Sequence, residues 1–193
     1  WIIGGEYIAE QGSIEMTATN KNIVGANIVA KQLGATVTLT AGNEVDGVVV
    51  DLPGDIFVTA FGITGGLYIS ELGNIELTAT GEDISGVYAK AKAGYATIAT
   101  QNGFDIIGST ADAYLAATLN STGEIVDSAA ISETASASIL ATGNVSGSVA
   151  YAAAGAASIA SELGDIDNSS ATAATTVNLT ALNGMISEST ATA

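Results

Sequence analysis

The side chains of this chain that could bind a metal ion are carboxylates. The sequence has 20 Asp and Glu, four Lys, no Arg, no His and no Cys. Carboxylate oxygens are the ligands that Ca²⁺ prefers, and the ion would relieve repulsion between stacked like charges. The candidate ligands follow a recurrent glycine turn, and they are Asp46, Asp83, Asp105, Asp127, Asp165 and Asp167. We expect Ca²⁺ at most and no other cofactor, the alternative being a solvated acidic surface that keeps the protein soluble.

Pairs of carboxylates could also cleave glycosidic bonds, because such chemistry uses one acid and one base or nucleophile. The candidates are Asp46 with Asp51 and Asp55, Glu82 with Asp83, Asp105 with Asp112, and Asp165 with Asp167. The chain has no Arg or His to assist proton transfer or to stabilise an oxyanion, and a His-based triad is excluded. We therefore predict that the protein is not an enzyme.

A turn signal recurs about every twenty residues along the chain. A Gly with an aliphatic residue within the next three positions marks each repeat. These glycines are Gly42, Gly62, Gly81, Gly103, Gly123, Gly143, Gly164 and Gly184. A second Gly often follows, as at Gly25, Gly47, Gly86, Gly108 and Gly147. Self-similarity at this period is typical of a solenoid.

Within one repeat, apolar and polar residues alternate as they do in a strand. In the segment GNIELTATGEDISG (73–86), Ile75, Leu77 and Ile84 should face the interior, together with the following Val87. The sequence predicts an all-β protein, a single-stranded parallel β-solenoid (β-helix) of about nine coils of about twenty residues. We interpret residues 1–193 as a single solenoid domain, a segment of a longer or polymerising surface protein. Five of the recurrent glycines should stack in one column: Gly81, Gly103, Gly123, Gly143 and Gly164.

Other folds are less consistent with the constant period. An antiparallel sandwich also has short strands between turns, but it needs no fixed repeat. The Ala-rich segment Ala150–Ala160 could be helical by propensity, and the uncharged stretches Thr134–Ser161 and Asn168–Ser187 are long enough to span a membrane. All three keep the twenty-residue period, so we predict strands and no membrane insertion. The net charge of −16 argues against nucleic acid as a partner.

Three segments carry a resemblance to a known class of surface protein. GNIELTATG (73–81), GDIFVTAFG (54–62) and GSIEMTATN (12–20) resemble coils of filamentous-haemagglutinin-type and autotransporter-type adhesins. The resemblance implies an extracellular, cell-surface location and an elongated structural role, in a filament, sheath, surface layer or adhesin stalk. The alternative is an adhesin or binding module whose acidic or Thr-rich face binds a glycan, a mineral or cations.

The two ends and the polar faces give further expectations. Trp1–Ile3 is apolar and Met185–Ala193 reads as another coil, so we expect a homopolymer formed head to tail or laterally. The pairs Thr17/Thr19, Thr38/Thr40 and Thr78/Thr80 would suit an ice-binding face, but Thr59-Ala60-Phe61 breaks the series of pairs and later repeats lose it. The sequons at Asn120, Asn144, Asn168 and Asn178 offer sites for glycan attachment.

Overall fold

Three parallel sheets, A, B and C, run along a coiled chain, and the computed structural model describes all 193 residues. Sheet A contains β1 (Ile2–Ile3), β4 (Ile23–Val24), β7 (Glu44–Asp46), β10 (Gly62–Thr64), β13 (Ile84–Ser85), β16 (Ile106–Ile107), β19 (Ile125–Val126), β22 (Val145–Ser146), β25 (Ile166–Asp167) and β28 (Ile186–Ser187). Sheet B contains β2 (Glu6–Ala9), β5 (Asn27–Ala30), β8 (Val49–Leu52), β11 (Leu67–Ser70), β14 (Tyr88–Ala91), β17 (Thr110–Ala113), β20 (Ala129–Ser132), β23 (Val149–Ala152), β26 (Ser170–Ala173) and β29 (Thr190–Thr192). Sheet C contains β3 (Ile14–Ala18), β6 (Val37–Ala41), β9 (Ile56–Ala60), β12 (Ile75–Ala79), β15 (Ala96–Thr100), β18 (Ala117–Ser121), β21 (Ala137–Ala141), β24 (Ala157–Ser161) and β27 (Val177–Ala181).

Each of the first nine coils contributes one strand to each sheet, in the order A, B, C, the tenth contributes to sheets A and B, and every coil pairs only with the coils before and after it. Ile75, for example, lies in register with Ile56 on one side and with Ala96 on the other. The predicted parallel β-solenoid is therefore confirmed. Sheets A and B have ten strands, so the chain forms ten coils and not about nine. The difference arises because the first coil, which begins at Ile2, precedes the first recurrent turn.

The core is a set of stacked columns of inward side chains. Ile75, Leu77 and Ile84 have no exposed surface and Val87 is buried, as predicted. Two columns stay large along most of the rod, one formed by Ile and Val of sheet A and one at the centre of each sheet C strand. Two others change to Ala at the fifth coil, as at Ala96, and one of these two returns to Val at Val177 in the ninth coil. Because a fully buried Ile or Leu contributes about 1.5–3 kcal/mol, the two large columns supply most of the hydrophobic stabilisation in the second half.

The Ala-rich segment forms strands, as the period predicted. Residues 149–152 form β23 and residues 157–161 form β24, and the whole chain contains no helix. Inward Ala150, Ala152 and Ala157 are buried against the neighbouring coils. Tertiary packing of a repeated small residue therefore overrides the helix propensity of Ala.

The bend from sheet A to sheet B has the same length in every coil, two residues. The first of the two is left-handed throughout, with φ between 45° and 64°. The residues in this column are Gly4, Gly25, Gly47, Gly65, Gly86, Gly108, Asp127, Gly147, Asn168 and Glu188. The second glycines of the sequence pattern are thus the ones that supply positive φ, where a Cβ is unfavourable.

The second residue of this bend is a buried serine in coils 6 to 9. Ser109 donates its backbone N–H to the Oγ of Ser128 at 3.1 Å, and Ser128 donates to the Oγ of Ser148 at 3.2 Å. Ser148 and Ser169 continue the series, which ends at Ser189 of coil 10. Each hydroxyl therefore satisfies a backbone donor of the preceding coil, which would otherwise be costly to bury.

The other two turns vary in length. One to five residues separate a sheet C strand from the next sheet A strand, and three to six separate sheet B from sheet C. This variation explains why the recurrent glycines are not evenly spaced. Gly123, Gly143, Gly164 and Gly184 each pack closely against the glycine one coil before, whereas Gly81 packs against the ring of Phe61.

Two tyrosines fill the core in the two coils where both residues of the bend are glycine. In the segments GGEY (4–7) and GGLY (65–68), a Cβ on Gly5 or Gly66 would lie about 3 Å from the ring of Tyr7 or Tyr68. The corresponding bend residue in coils 2, 3 and 5 is Ala26, Val48 or Val87. The large ring therefore occupies the volume of a missing bend side chain.

Candidate functional site: the acidic side of the coil

Most of the negative charge lies on one side of the rod. We define the acidic side as the segments that run from the end of each sheet C strand to the start of the next sheet B strand. It holds eleven of the 20 acidic residues and one of the four lysines, Lys21, so it carries ten of the sixteen net negative charges. The acidic residues are Glu44, Asp46, Glu82, Asp83, Asp105, Glu124, Asp127, Glu162, Asp165, Asp167 and Glu188.

The predicted metal ligands all lie on the acidic side, but they occupy three different columns. Asp83, Asp105 and Asp165 directly precede a sheet A strand. Asp46 and Asp167 are the outward residues at the ends of their sheet A strands, and Asp127 occupies the left-handed bend position. No three Asp or Glu side chains of the chain converge on a point where a metal ion could sit. Their location on one side could be predicted from the sequence, but the columns that they occupy could not.

The carboxylates of the first column bind backbone amides of the next coil. Asp83 Oδ1 accepts the N–H of Asp105 at 2.9 Å, and Asp105 Oδ1 accepts the N–H of Glu124 at 2.7 Å. Asn144 and Asp165 repeat the arrangement two and three coils later, at 2.8 Å each. These side chains therefore connect successive coils, and the oxygen that accepts the amide is already occupied.

The asparagine in this column also bridges a carboxylate. Asn144 Nδ2 donates to Glu124 Oε1 at 2.8 Å. In the column of outward strand residues, Ser187 Oγ donates to Asp167 Oδ1 at 2.7 Å. Amide and hydroxyl donors thus neutralise part of the repulsion between stacked acidic residues.

Three shallow depressions are found on the surface, and all lie on the acidic side. The first is lined by Thr64, Glu82, Asp83, Ser85 and Phe104. The second is lined by Glu124, Asn144, Val145, Ser146, Asp165, Asp167 and Ser187. The third is lined by Asn22, Asn43, Glu44, Phe61 and Glu82. Polar side chains line most of each depression, and each contains at least two carboxylates.

Two aromatic rings flank the depressions that share Glu82. Phe61 lies in the third depression and is 45% exposed, and Phe104 lies in the first. The sequence missed this feature because both residues are in turns of variable length, so their alignment across the coils could not be read from spacing. An aromatic ring beside convergent polar groups is a common lining of ligand sites.

The carboxylate pairs that we considered for acid–base chemistry have structural partners or lie apart. Asp112 accepts from Lys90 Nζ at 2.7 Å and from Tyr88 Oη at 2.8 Å, on the outer face of sheet B. Burial first, and the Asp112 carboxylate next, raise the pKa of Tyr88, and the hydrogen bond to Asp112 raises the pKa of Lys90. Asp51 also lies on sheet B, whereas its proposed partner Asp46 lies on sheet A.

A four-residue threonine column runs along the outer face of sheet C. Thr17, Thr40, Thr59 and Thr78 are in direct register on four successive coils. Thr59 continues this single column, but Phe61, two residues later, takes the place of the second Thr, so the Thr-x-Thr pair is broken in this coil. The adjacent outward column contains Phe57 and Glu76, so the face has one Thr column and not paired columns.

Comparison of the chain with protein-family models, with curated proteins and with solved structures found no match. The structure also has no helix that is long and apolar enough to cross a membrane.

Proposed function

We propose that the protein is a structural element of an extracellular surface assembly, a filament, sheath, surface layer or adhesin stalk, in which copies associate head to tail or laterally. The observation that carries the proposal is the state of the two terminal coils. Inward residues of the first coil, such as Ile2 and Ile14, are only partly buried. At the other end Val177 and Leu179 are partly buried, and Ile186 is 47% exposed.

Both ends also leave backbone groups free for pairing. The outermost strands, β1 and β28 in sheet A and β2 and β29 in sheet B, each pair on one side only. Such edges are templates for a further strand, and natural solenoids usually cover them with a cap. Another coil, supplied by a second copy or by further polypeptide, would bury the open core and complete the ladders.

The extracellular location rests on the resemblance of the coil sequences to those of surface adhesins. The three depressions of the surface are shallow, which supports a structural role over a catalytic one. Surface protease treatment of intact source cells tests the location. Loss of the protein from intact cells is expected, and protection until the cells are lysed would contradict it.

Assembly is tested by placing a charge in the open core. Ile186→Lys would set a cation where the next coil must pack, whereas Ser187→Lys changes the adjacent outward residue of the same strand. We expect the mass of the isolated chain in light scattering to rise with concentration, and Ile186→Lys to reduce that rise while Ser187→Lys does not. Equal behaviour of the three proteins would contradict pairing through this end.

A second candidate function is a binding module, favoured by the two phenylalanines beside Glu82 in an acidic groove. Such a groove could hold a glycan against Phe61 and Phe104, or cations against the carboxylates. Phe61→Ala should then abolish binding to those members of an immobilised glycan library that the unaltered chain binds.

The cation alternative is tested by melting curves. Millimolar Ca²⁺ should raise the melting temperature by ligand linkage, and a chelator should lower it. No glycan bound and an unchanged melting curve would leave this side as a solvated acidic surface.

A further inference from the structure

The outer face of sheet B is the most apolar surface of the rod. Ten of its twenty outward positions are apolar, compared with four of eighteen on sheet C, where they are Phe57, Ala99, Leu140 and Ala160. The ten are Ile8, Val29, Val49, Leu67, Ile69, Tyr88, Ala129, Ile131, Val149 and Tyr151. Five of them are at least 36% exposed: Ile8, Val49, Tyr88, Val149 and Tyr151. Exposed apolar surface of this kind usually marks an interaction site.

The face also carries little of the protein's charge. Its charged residues are Glu6, Asp51, Asp112 and Lys90, a net charge of −2 against −10 on the acidic side. Lys90 and Asp112 neutralise each other at 2.7 Å. Two copies could therefore bring these faces together while their acidic sides remain apart.

The apolar residues form two bands at equal distances from the centre of the face. One band lies in coils 3 and 4 (Val49, Leu67, Ile69) and the other in coils 7 and 8 (Ala129, Ile131, Val149, Tyr151). The Lys90–Asp112 pair lies between them, in coils 5 and 6. Both ends of the face are more polar. The pattern is therefore approximately symmetric about the midpoint between coils 5 and 6.

We propose that two copies pair through the outer faces of sheet B, about a two-fold axis that runs along the strand direction between coils 5 and 6. This axis places each outward column opposite itself with the coil order reversed. Ile69 then faces Ile131 of the second copy, Val49 faces Val149, and Leu67 faces Ala129. Lys90 faces Asp112 of the second copy, so the central ion pairs form a four-residue cluster. Asp51 faces Tyr151, whose hydroxyl can donate to it.

The area of the face is sufficient for a specific dimer. Ten strands about 4.8 Å apart, with four residues of about 3.3 Å each, give a face of roughly 48 Å by 13 Å. Pairing two such faces covers roughly 1,200 Å² in total, which is the lower limit of the usual range for stable interfaces. The two-fold contact is closed, because each residue meets its partner reciprocally, and it is independent of any continuation of the coils at the ends.

The reciprocal contact allows a test by complementary charges. Ile69→Lys and Ile131→Glu each place two charges against apolar residues in a homodimer. In a mixed dimer of the two variants, the lysine meets the glutamate and the remaining Ile131 meets Ile69. Leu140→Glu, an equivalent change on the outer face of sheet C, is the matched control. All proteins also carry Ile186→Lys, so that contact between coil ends adds less mass.

Sedimentation equilibrium of the whole chain provides the measurement. We expect the parent and Leu140→Glu to form a dimer of about 38 kDa, twice the 19.0 kDa chain. Each single face variant should raise the dissociation constant at least tenfold, and an equimolar mixture should restore the dimer. Circular dichroism should show the same β signal for every variant. A monomeric parent at high concentration, a dimer that resists both face variants, or a mixture that stays monomeric would overturn the proposal.

Discussion

Removal of one buried hydroxyl should stabilise the coil. Tyr68 is fully buried in the fourth coil, and its Oη has no hydrogen-bond partner. A buried polar group without a partner costs about 1–3 kcal/mol relative to its hydrated state in the unfolded chain. Tyr68→Phe keeps the ring and removes only this group, so the free energy of unfolding should rise by about 1–3 kcal/mol. For a chain of this length, each kcal/mol corresponds to about 2–4 °C in melting temperature.

The stabilisation should also depend on pH. Burial, and next the nearby Asp46 carboxylate, raise the pKa of Tyr68 above its usual range. The folded state therefore holds the Tyr68 proton more tightly than the unfolded chain does. The stability that comes from this difference in pKa is complete below the unfolded pKa of about 10 and is lost as the pH rises further. The advantage of Tyr68→Phe should accordingly grow between about pH 10 and pH 11.

Urea denaturation followed by circular dichroism, at pH 7 and above pH 10, provides the assay. Tyr7→Phe is the matched control, since Tyr7 occupies the same Gly-Gly-x-Tyr motif but is only partly buried in the first coil. Its stability should change little. If Tyr68→Phe lowered the stability by 1 kcal/mol or more, the hydroxyl would have a hydrogen-bond partner and the reasoning would be refuted.

Two further predictions concern the packing of the bend and the amide-binding column. Gly66→Val should destabilise the coil by about 1–3 kcal/mol or more, because Gly66 has a φ of 104°, where a Cβ is unfavourable, and because the Cβ would contact the Tyr68 ring and the carbonyl of Val48. Adding Tyr68→Val removes the contact with the ring but leaves the backbone strain, so the combined loss in a double-mutant cycle should be smaller than the sum of the two single losses; additive losses would contradict the volume exchange. Asp105→Asn should be at least as stable as the parent chain because it keeps an acceptor for the Glu124 amide and removes a charge. Asp105→Ala should be about 1 kcal/mol less stable than Asp105→Asn in urea denaturation, and equal stability of the two would show that this hydrogen bond contributes nothing.

The period of the sequence predicted the fold because each coil repeats the same inward positions. The alternation at Ile75 and Leu77 needed no knowledge of the turns, since it lies within one strand. Register between coils was harder to predict, because turn length varies and spacing from a glycine then misplaces residues. Gly81 is an example: the turn before β10 is the single residue Phe61, the shortest in the chain, so Gly81 packs against Phe61 and not against Gly62.

The candidate site was predictable only at the level of one acidic side. Sequence spacing showed that carboxylates follow the recurrent turn, but it could not show that Asp105 accepts a backbone amide while Asp127 occupies a left-handed bend. Those differences depend on shifts of one residue in the turn. The position of Phe61 and Phe104 on the same side could not be predicted for the same reason, because both residues lie in turns of variable length.

The contrast between the fixed bend and the variable turns determines where the sequence can gain or lose residues. The bend from sheet A to sheet B is two residues long in all ten coils, whereas the turn from sheet C to sheet A varies from one to five. An insertion at the bend would shift the left-handed position and the inward side chains that follow it. An insertion in the turn would project as a loop from the side that carries the depressions. Genetic variation in length should therefore accumulate on that side, and an inserted peptide tag should be tolerated there while the rest of the coil keeps its register.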